Sequence, residues 1–246
     1  MAAATGALER AAWPAERKFF LTMTIALAIV VLVGFSRSFF LSPFFPGWPA
    51  PGEPFFRLHG TAFAAWFALL VVQASLISGQ RVQWHRRLGV AGAGLAAAMV
   101  LLGIAGGIVG AARPGGFIGT PIPPLVFLVI PLIEMPMFGL LVGLAIWKRT
   151  LAQSHKRLIL IASISLTSAA FARWLVVGAA GPLGFFGAVD LFLVALALWD
   201  FKSRGRLHPV TKWAGAIVVL SQPLRLALGG TALWIGFAGW VVGQAN

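Results

Sequence analysis

Histidines and a short list of charges inside apolar segments are the residues of this sequence that could do chemistry. Three of its four histidines stand at comparable places, each in or just after a basic stretch and before an apolar block: His85-Arg-Arg-Leu-Gly, His155-Lys-Arg-Leu-Ile and His208-Pro-Val-Thr-Lys. Three imidazoles at one depth could converge on a metal ion, or two could sandwich a haem iron with the adjacent Arg and Lys pairing its propionates. The same residues also suit basic interfacial loops, where they would hydrogen-bond headgroups or cap helices. Spacing leaves both readings open. The chain has no Cys and no Tyr, which excludes disulfides, thiolate ligands, covalent haem attachment and any Cys or Tyr nucleophile or radical. Redox or metal chemistry therefore falls to His, Met, carboxylates and backbone. No dense metal motif of the His-Glu-x-x-His type occurs, and no Gly-rich phosphate loop follows a strand.

The second group is a set of charges at membrane depth. Counting 1.5 Å per residue from the ends of the apolar blocks, Glu134 falls near mid-block, and Arg37, Arg57, His59, Arg173, Asp190 and Arg225 fall in one half. Each costs roughly 2.5 to 3.5 kcal/mol at the centre of a spanning helix on insertion scales, so such residues turn inward and are functional candidates by default. The economical arrangement is an inward cluster in which Glu134 and Asp190 offset some of Arg173, Arg225 and Arg37, leaving about two positive charges to meet water or an anionic group. His59, Phe63, Trp66, Leu70 and Gln73 follow helical spacing and place His59, Trp66 and Gln73 on one seam facing the interior. Pro131 and Pro136 flank Glu134, and Gln222-Pro223 precedes Arg225. Each of these prolines frees a carbonyl one turn back, which is tolerable at membrane depth beside a donor or a wet cavity. A polar cavity is expected here, suited to a quinone, a lipid or a haem-like anion. The alternative is a buried ion pair that only fixes helix register. A lipid-modifying enzyme built on Glu134, Asp190 and His59 lacks a nucleophile with a partnered base.

The elements that must position these residues are helices. Of 246 residues, 59% are hydrophobic and 10% charged, and the mean hydropathy is +0.92, which excludes a water-soluble globular domain. The apolar residues fall in blocks of about 20, the length that crosses roughly 30 Å of hydrocarbon. The blocks predict an all-α, polytopic transmembrane bundle of about seven spans, near 19–40, 56–78, 87–111, 123–147, 157–178, 185–200 and 210–228. A further stretch, 231–243, spans, re-enters or lies in the interface. Residues 1–18 read as a cytoplasmic or interfacial arm, with no signal-peptide pattern. The three His-bearing turns suggest three repeated helical hairpins.

Nineteen Lys and Arg against six Asp and Glu leave a net charge of +13. Fourteen of the nineteen lie in residues 1–18 or in alternate turns (81–87, 148–157 and 202–212). This is the distribution of a positive-inside membrane protein, not of a nucleic-acid binder, and it places the N-terminus in the cytoplasm and the C-terminus in the periplasm. Trp13, Trp84, Trp147, Trp199 and Trp213 register with the inner interface, and Trp48, Trp174, Trp234 and Trp240 with the outer; Trp66 alone sits near mid-membrane. Residues 41–55, with five prolines among aromatics, and 113–124, rich in Gly and Pro, are stiff enough to fold over the outer end as a lid. Gly103, Gly106, Gly107 and Gly110, and Gly139 with Gly143, give the small-residue spacing of close helix packing.

Taken together, Gly34-Phe35 with Phe39-Phe40-Leu41, His59-Gly60 with Trp66 and Gln73, His85-Arg-Arg-Leu-Gly, His155-Lys-Arg-Leu, and His208-Pro with Ser221-Gln-Pro-Leu-Arg225 resemble a family of uncharacterised bacterial inner-membrane proteins over nearly the whole chain. That resemblance implies location and topology and supplies no catalytic residues. A fainter similarity is to haem b membrane proteins of the cytochrome b561 type, in which an inner and an outer haem are each held by His from two helices. It implies an inner pair of His85 and His155. The outer pair fails, because His59 faces Glu134 rather than a second His. The leading functional expectation is a redox or cofactor-handling membrane protein binding a haem b or a metal at His85, His155 and His208, with an outer-half cavity of His59, Trp66, Gln73, Glu134, Arg173, Asp190 and Arg225. The competing one is a cofactor-free carrier of a small amphipathic anion, or an accessory subunit of a larger membrane complex.

Overall fold

The computed structural model of the chain describes residues 2–48, 53–117, 120 and 122–244, with side chains from residue 14 onward. Trp13 and parts of both expected lid segments, Pro49 and Pro51 among them, lie outside the described side chains. The described residues form helices and connecting turns, with no strand among them. Five helical stretches are long and apolar enough to cross a bilayer. They are Pro14–Gly34 of α1 (Ala2–Gly34), α2 (Pro54–Ser78), α3 (Val82–Ala112), the pair α4 (Pro124–Phe127) and α5 (Val129–Trp147), and α9 (Gly181–Arg204). A sixth is counted if α10 (Pro209–Gly229) and α11 (Ala232–Gly243) form one span bent by 84°. The outer surface is apolar: Val176, Leu183 and Leu233 are each more than 80% exposed. Buried among the helices instead are Arg157, Asp200, Glu134 and Arg225. Apolar outside and charged inside is the distribution lipid demands. The chain is a multi-pass membrane protein.

The expected span 157–178 is not one helix. It consists of α6 (Ala152–Ser165), α7 (Ser168–Phe171) and α8 (Leu175–Ala179). Its sequence explains why it can be both polar and broken. Arg157, Leu158, Ile161, Ala162, Ser163, Ile164 and Thr167 have essentially no exposure, because α6 is the central strut, packed against α1, α5, α9 and α10. A helix screened from lipid by protein need not be apolar, and its irregular turns find partners in the bundle. At the first break the Thr167 hydroxyl donates to the Ile164 carbonyl at 2.6 Å.

Small residues set the spacing. A Cβ at Gly34 would stand 2.5 Å from the Ala170 carbonyl, so α1 touches the α7 backbone only because residue 34 is Gly; a Cβ at Gly103 would meet Met135 of α5. At the other end of the bundle Gly205, at φ +69°, closes α9 with its N–H on the Phe201 carbonyl at 2.9 Å. Three residues on, His208 caps α10 and Pro209 takes its first turn. The Thr231 hydroxyl caps α11, which turns across α3 and α4 and holds Trp234 Nε1 on the Leu125 carbonyl at 2.8 Å. That contact ties residues 231–243 back onto α4, across the 84° bend from α10.

Candidate functional site

The chemistry-bearing residues separate into three groups. At the basic end, His85 of α3 and His155 of α6 stand with ring centres 6.2 Å apart and ring planes at 87°. Each has its Nδ1 occupied. His155 Nδ1 lies 2.8 Å from the Ala145 carbonyl. A carbonyl only accepts, so His155 carries its proton on Nδ1 and keeps the Nε2 lone pair free. The Gln73 amide lies 2.6 Å from His85 Nδ1, with the Gly89 N–H 3.0 Å from its other end. Gln73 thus belongs with His85 and not with the cavity seam expected of it.

His208 does not join them. Among the described residues no three His or carboxylate groups come close enough to hold a metal ion, so the three-histidine metal site is corrected to a pair. His208 is drawn instead into the helix start: its Nδ1 accepts from the Val210 N–H at 3.1 Å and its own N–H donates to Asp200 Oδ2 at 3.0 Å. Asp200 in turn takes the guanidinium of Arg157, both side chains having no exposure. Arg157 also donates to the carbonyl and the amide oxygen of Gln153, at 3.0 and 2.5 Å. Glu16 completes the network with a 2.6 Å ion pair to Lys156 and a 3.3 Å hydrogen bond from Gln153. Sequence reasoning missed this cluster, counting Arg157 and Lys156 among the free charges of a basic turn.

Burial and the positive charges of Arg157 and Arg204 push His208 down to about 4, against the pull of Asp200. Its folded value lies below the ordinary one near 6.5, so the unfolded chain takes up a proton that the folded protein refuses. Stability is full above about pH 6.5 and falls as pH drops toward about 4. The melting midpoint in detergent should therefore decline between about pH 7 and pH 5, and less steeply in His208→Asn, which keeps a cap acceptor without a titrating ring. An equal slope in the variant refutes the assignment.

The second group is at membrane depth. Glu134 Oε2 accepts from Arg225 Nη1 at 2.6 Å, and Arg225 Nη2 donates to Ser221 Oγ at 2.9 Å. Glu134 is 4% and Arg225 1% exposed. Beside them Gln222 Nε2 donates to Asp190 Oδ1 at 2.8 Å, so Asp190 is satisfied by an amide and not by an arginine. Arg225 Nε is buried without a partner and Glu134 Oε1 has none at ordinary hydrogen-bond geometry, the Ser165 and Ser168 hydroxyls being the polar groups beside the carboxylate; such atoms mark a place where a water or a ligand's polar group fits. His59 and Trp66 make their polar contacts elsewhere. His59 Nδ1 lies 3.1 Å from the Leu102 carbonyl and its ring stacks on Phe63; Trp66 Nε1 donates to Ser163 Oγ at 3.1 Å.

The third group is at the Pro-rich end. Arg173 does not point at either carboxylate. Its guanidinium stacks 4.4 Å over Phe35 and donates to the Ala169 carbonyl at 2.7 Å. The two loops here are joined by a 2.5 Å ion pair between Arg113 and Glu53, while Phe44, 79% exposed, faces outward. The described part of the 41–55 segment is thus an apolar rim more than a closed lid.

No family model, curated protein or solved structure matches the chain. The geometry above therefore carries the functional reading.

Proposed function

We propose that the protein holds one haem b at its basic end, where His85 and His155 would bind its iron. The carrying observation is the pair of near-perpendicular imidazoles 6.2 Å apart. Two end-on imidazoles with metal–nitrogen bonds of about 2.0 to 2.1 Å put their ring centres about 6 Å apart. The donor set selects among cofactors. A bare zinc ion asks for three or four protein ligands, and no third His or carboxylate joins the pair among the described residues; a porphyrin brings four nitrogens and asks the protein only for two. Bound there, haem would supply one-electron transfer. The protein's part is orientation: the Ala145 carbonyl already holds His155 in the ligating tautomer. The Gln73 amide N–H, by contrast, donates to His85 Nδ1 and its oxygen accepts from the Gly89 N–H, so His85 would have to give up that hydrogen bond and move its proton to Nδ1 before Nε2 could ligate. A membrane quinone is the electron partner this reading implies. By the charge distribution the basic end faces the cytoplasm of a bacterial inner membrane.

The test is spectroscopic. Protein purified from haem-replete cells should show a low-spin, bis-imidazole Soret and α band on reduction. His85→Ala or His155→Ala should abolish it, and His208→Ala should leave it in place. A colourless wild-type preparation refutes the proposal. In that event the buried Glu134–Arg225 pair, with an unpartnered atom on each side, favours the cofactor-free alternative, a carrier of a small amphipathic anion or a subunit of a larger membrane complex.

A further inference from the structure

At the Pro-rich end, opposite the histidine pair, a pocket of about 270 Å³ opens between the end of α1 and the break before α8. Its lining includes Arg37, Trp48, Arg173 and Trp174, with Val33 and Val176 at apolar walls. Two arginines therefore meet in one concavity. Among the described residues neither makes a carboxylate pair; the ion pairs toward this end are Arg113–Glu53 and Arg225–Glu134. The Arg37 guanidinium lies 5.0 Å over the Trp48 ring, as that of Arg173 lies over Phe35. Stacking of this kind occupies the flat face of a guanidinium and leaves its N–H edge for an acceptor. Arg173 spends one of its five donors on Ala169. The indole N–H of Trp174, beside them, is buried and has no acceptor.

Two arginines without a carboxylate partner, one half-buried and one exposed, line a single concavity and present donors that suit an anion. Its shape follows from the placement. The arginines come from different elements, one from the turn after α1 and the other from the α7–α8 break. An acceptor with oxygens directed several ways suits them better than a planar carboxylate, which presents one edge. The volume is below the roughly 300–1,000 Å³ of a drug-sized ligand site, enough for a headgroup and not for a whole lipid. Leu175 and Val176, 67% and 85% exposed, lie on the bundle's outer surface beside it, where an acyl chain would run.

We propose that this pocket binds a phosphate group, presented by an anionic phospholipid headgroup or as free phosphate. Neither the haem reading nor its failure bears on this site, since the two lie at opposite ends of the bundle. The test uses the full chain in a non-ionic detergent, with short-chain phosphatidylglycerol, short-chain phosphatidylcholine and inorganic phosphate as probes, followed by native mass spectrometry. Phosphatidylglycerol should bind more tightly than phosphatidylcholine, and Arg37→Gln with Arg173→Gln should weaken it at least tenfold. Arg57→Gln, an exposed arginine outside the pocket, should change nothing. Displacement of the lipid by inorganic phosphate identifies a free-phosphate site, and failure to displace it identifies a headgroup site; either result upholds phosphate recognition. The single variants keep the test open if the double variant does not fold, each weakening binding several-fold, with Arg173→Lys recovering part of the loss. Unchanged affinity in folded Arg37→Gln and Arg173→Gln, or no binding of either phosphatidylglycerol or phosphate, overturns the proposal.

Discussion

Asp200→Ala should cost the folded protein about 3 to 5 kcal/mol, the usual penalty for stranding one member of a buried ion pair. Arg157 and Asp200 have no exposed side-chain surface. Removing the carboxylate therefore leaves a buried guanidinium with the Gln153 oxygens and the face of Phe20 as its partners, and it orphans the His208 N–H at the start of α10. The loss touches three helices at once: α6 loses its tie to α9, and α10 loses its docking point. The surface end of the same network supplies the contrast. Glu16 and Lys156 are 18% and 25% exposed, and a partly solvated pair of this kind contributes about 1 kcal/mol or less. Glu16→Gln should accordingly lower stability by less than about 1 kcal/mol. Denaturant titration of the two variants in one detergent separates the cases. Equal effects would mean that water reaches Arg157 and that the clamp is not buried.

The contrast also shows which features could be read from the residue string. Helical class, the alternation of basic and Pro-rich ends, and the inward turn of Glu134 and Arg225 follow from local rules: block length, charge placement and the cost of a charge in lipid. What escaped was tertiary. Arg157 and Asp200 lie 43 residues apart at the ends of different blocks, where hydropathy counts them as interfacial, and only the packing of α6 against α9 makes them a pair. One signal was available. Residues 152–168 carry four Ser, one Thr, His155, Lys156 and Arg157, too many polar groups for a lipid-facing span, and that composition marks a helix enclosed by others. The fate of the outer arginines was hidden for a similar reason. A charge count gives the excess, but aromatic partners drew Arg37 and Arg173 to a pocket of their own, away from the Glu134–Arg225 pair. The convergence of three histidines failed because His208 precedes Pro209. An N-cap position fixes its ring on the backbone of its own helix, and His85 and His155 were left as a pair.

Glu134→Gln should likewise destabilise the protein by about 3 to 5 kcal/mol, because Arg225 would keep its charge at membrane depth with a neutral amide in place of its counter-ion. Ser221 stays within reach of Arg225, but one hydroxyl cannot replace a carboxylate. Pro136 and Pro223 lie within two residues of the pair, and each already costs its helix one backbone hydrogen bond. Helices α5 and α10 therefore have little regular structure with which to absorb the strain. Arg225→Met alone should be comparably harmful, since it strands the carboxylate. The double replacement Glu134→Leu with Arg225→Met is the deciding measurement. Buried ion pairs replaced whole by apolar groups of similar size are often neutral or stabilising, so a purely structural pair predicts recovery of most of the loss. If the double variant is folded and stable and the haem spectrum of the basic end is intact, the pair fixes helix register and no more. If stability returns but a transport or redox activity is lost, Glu134 and Arg225 are the working groups of the membrane-depth site, and their unpartnered atoms, Oε1 and Nε, are where its ligand binds.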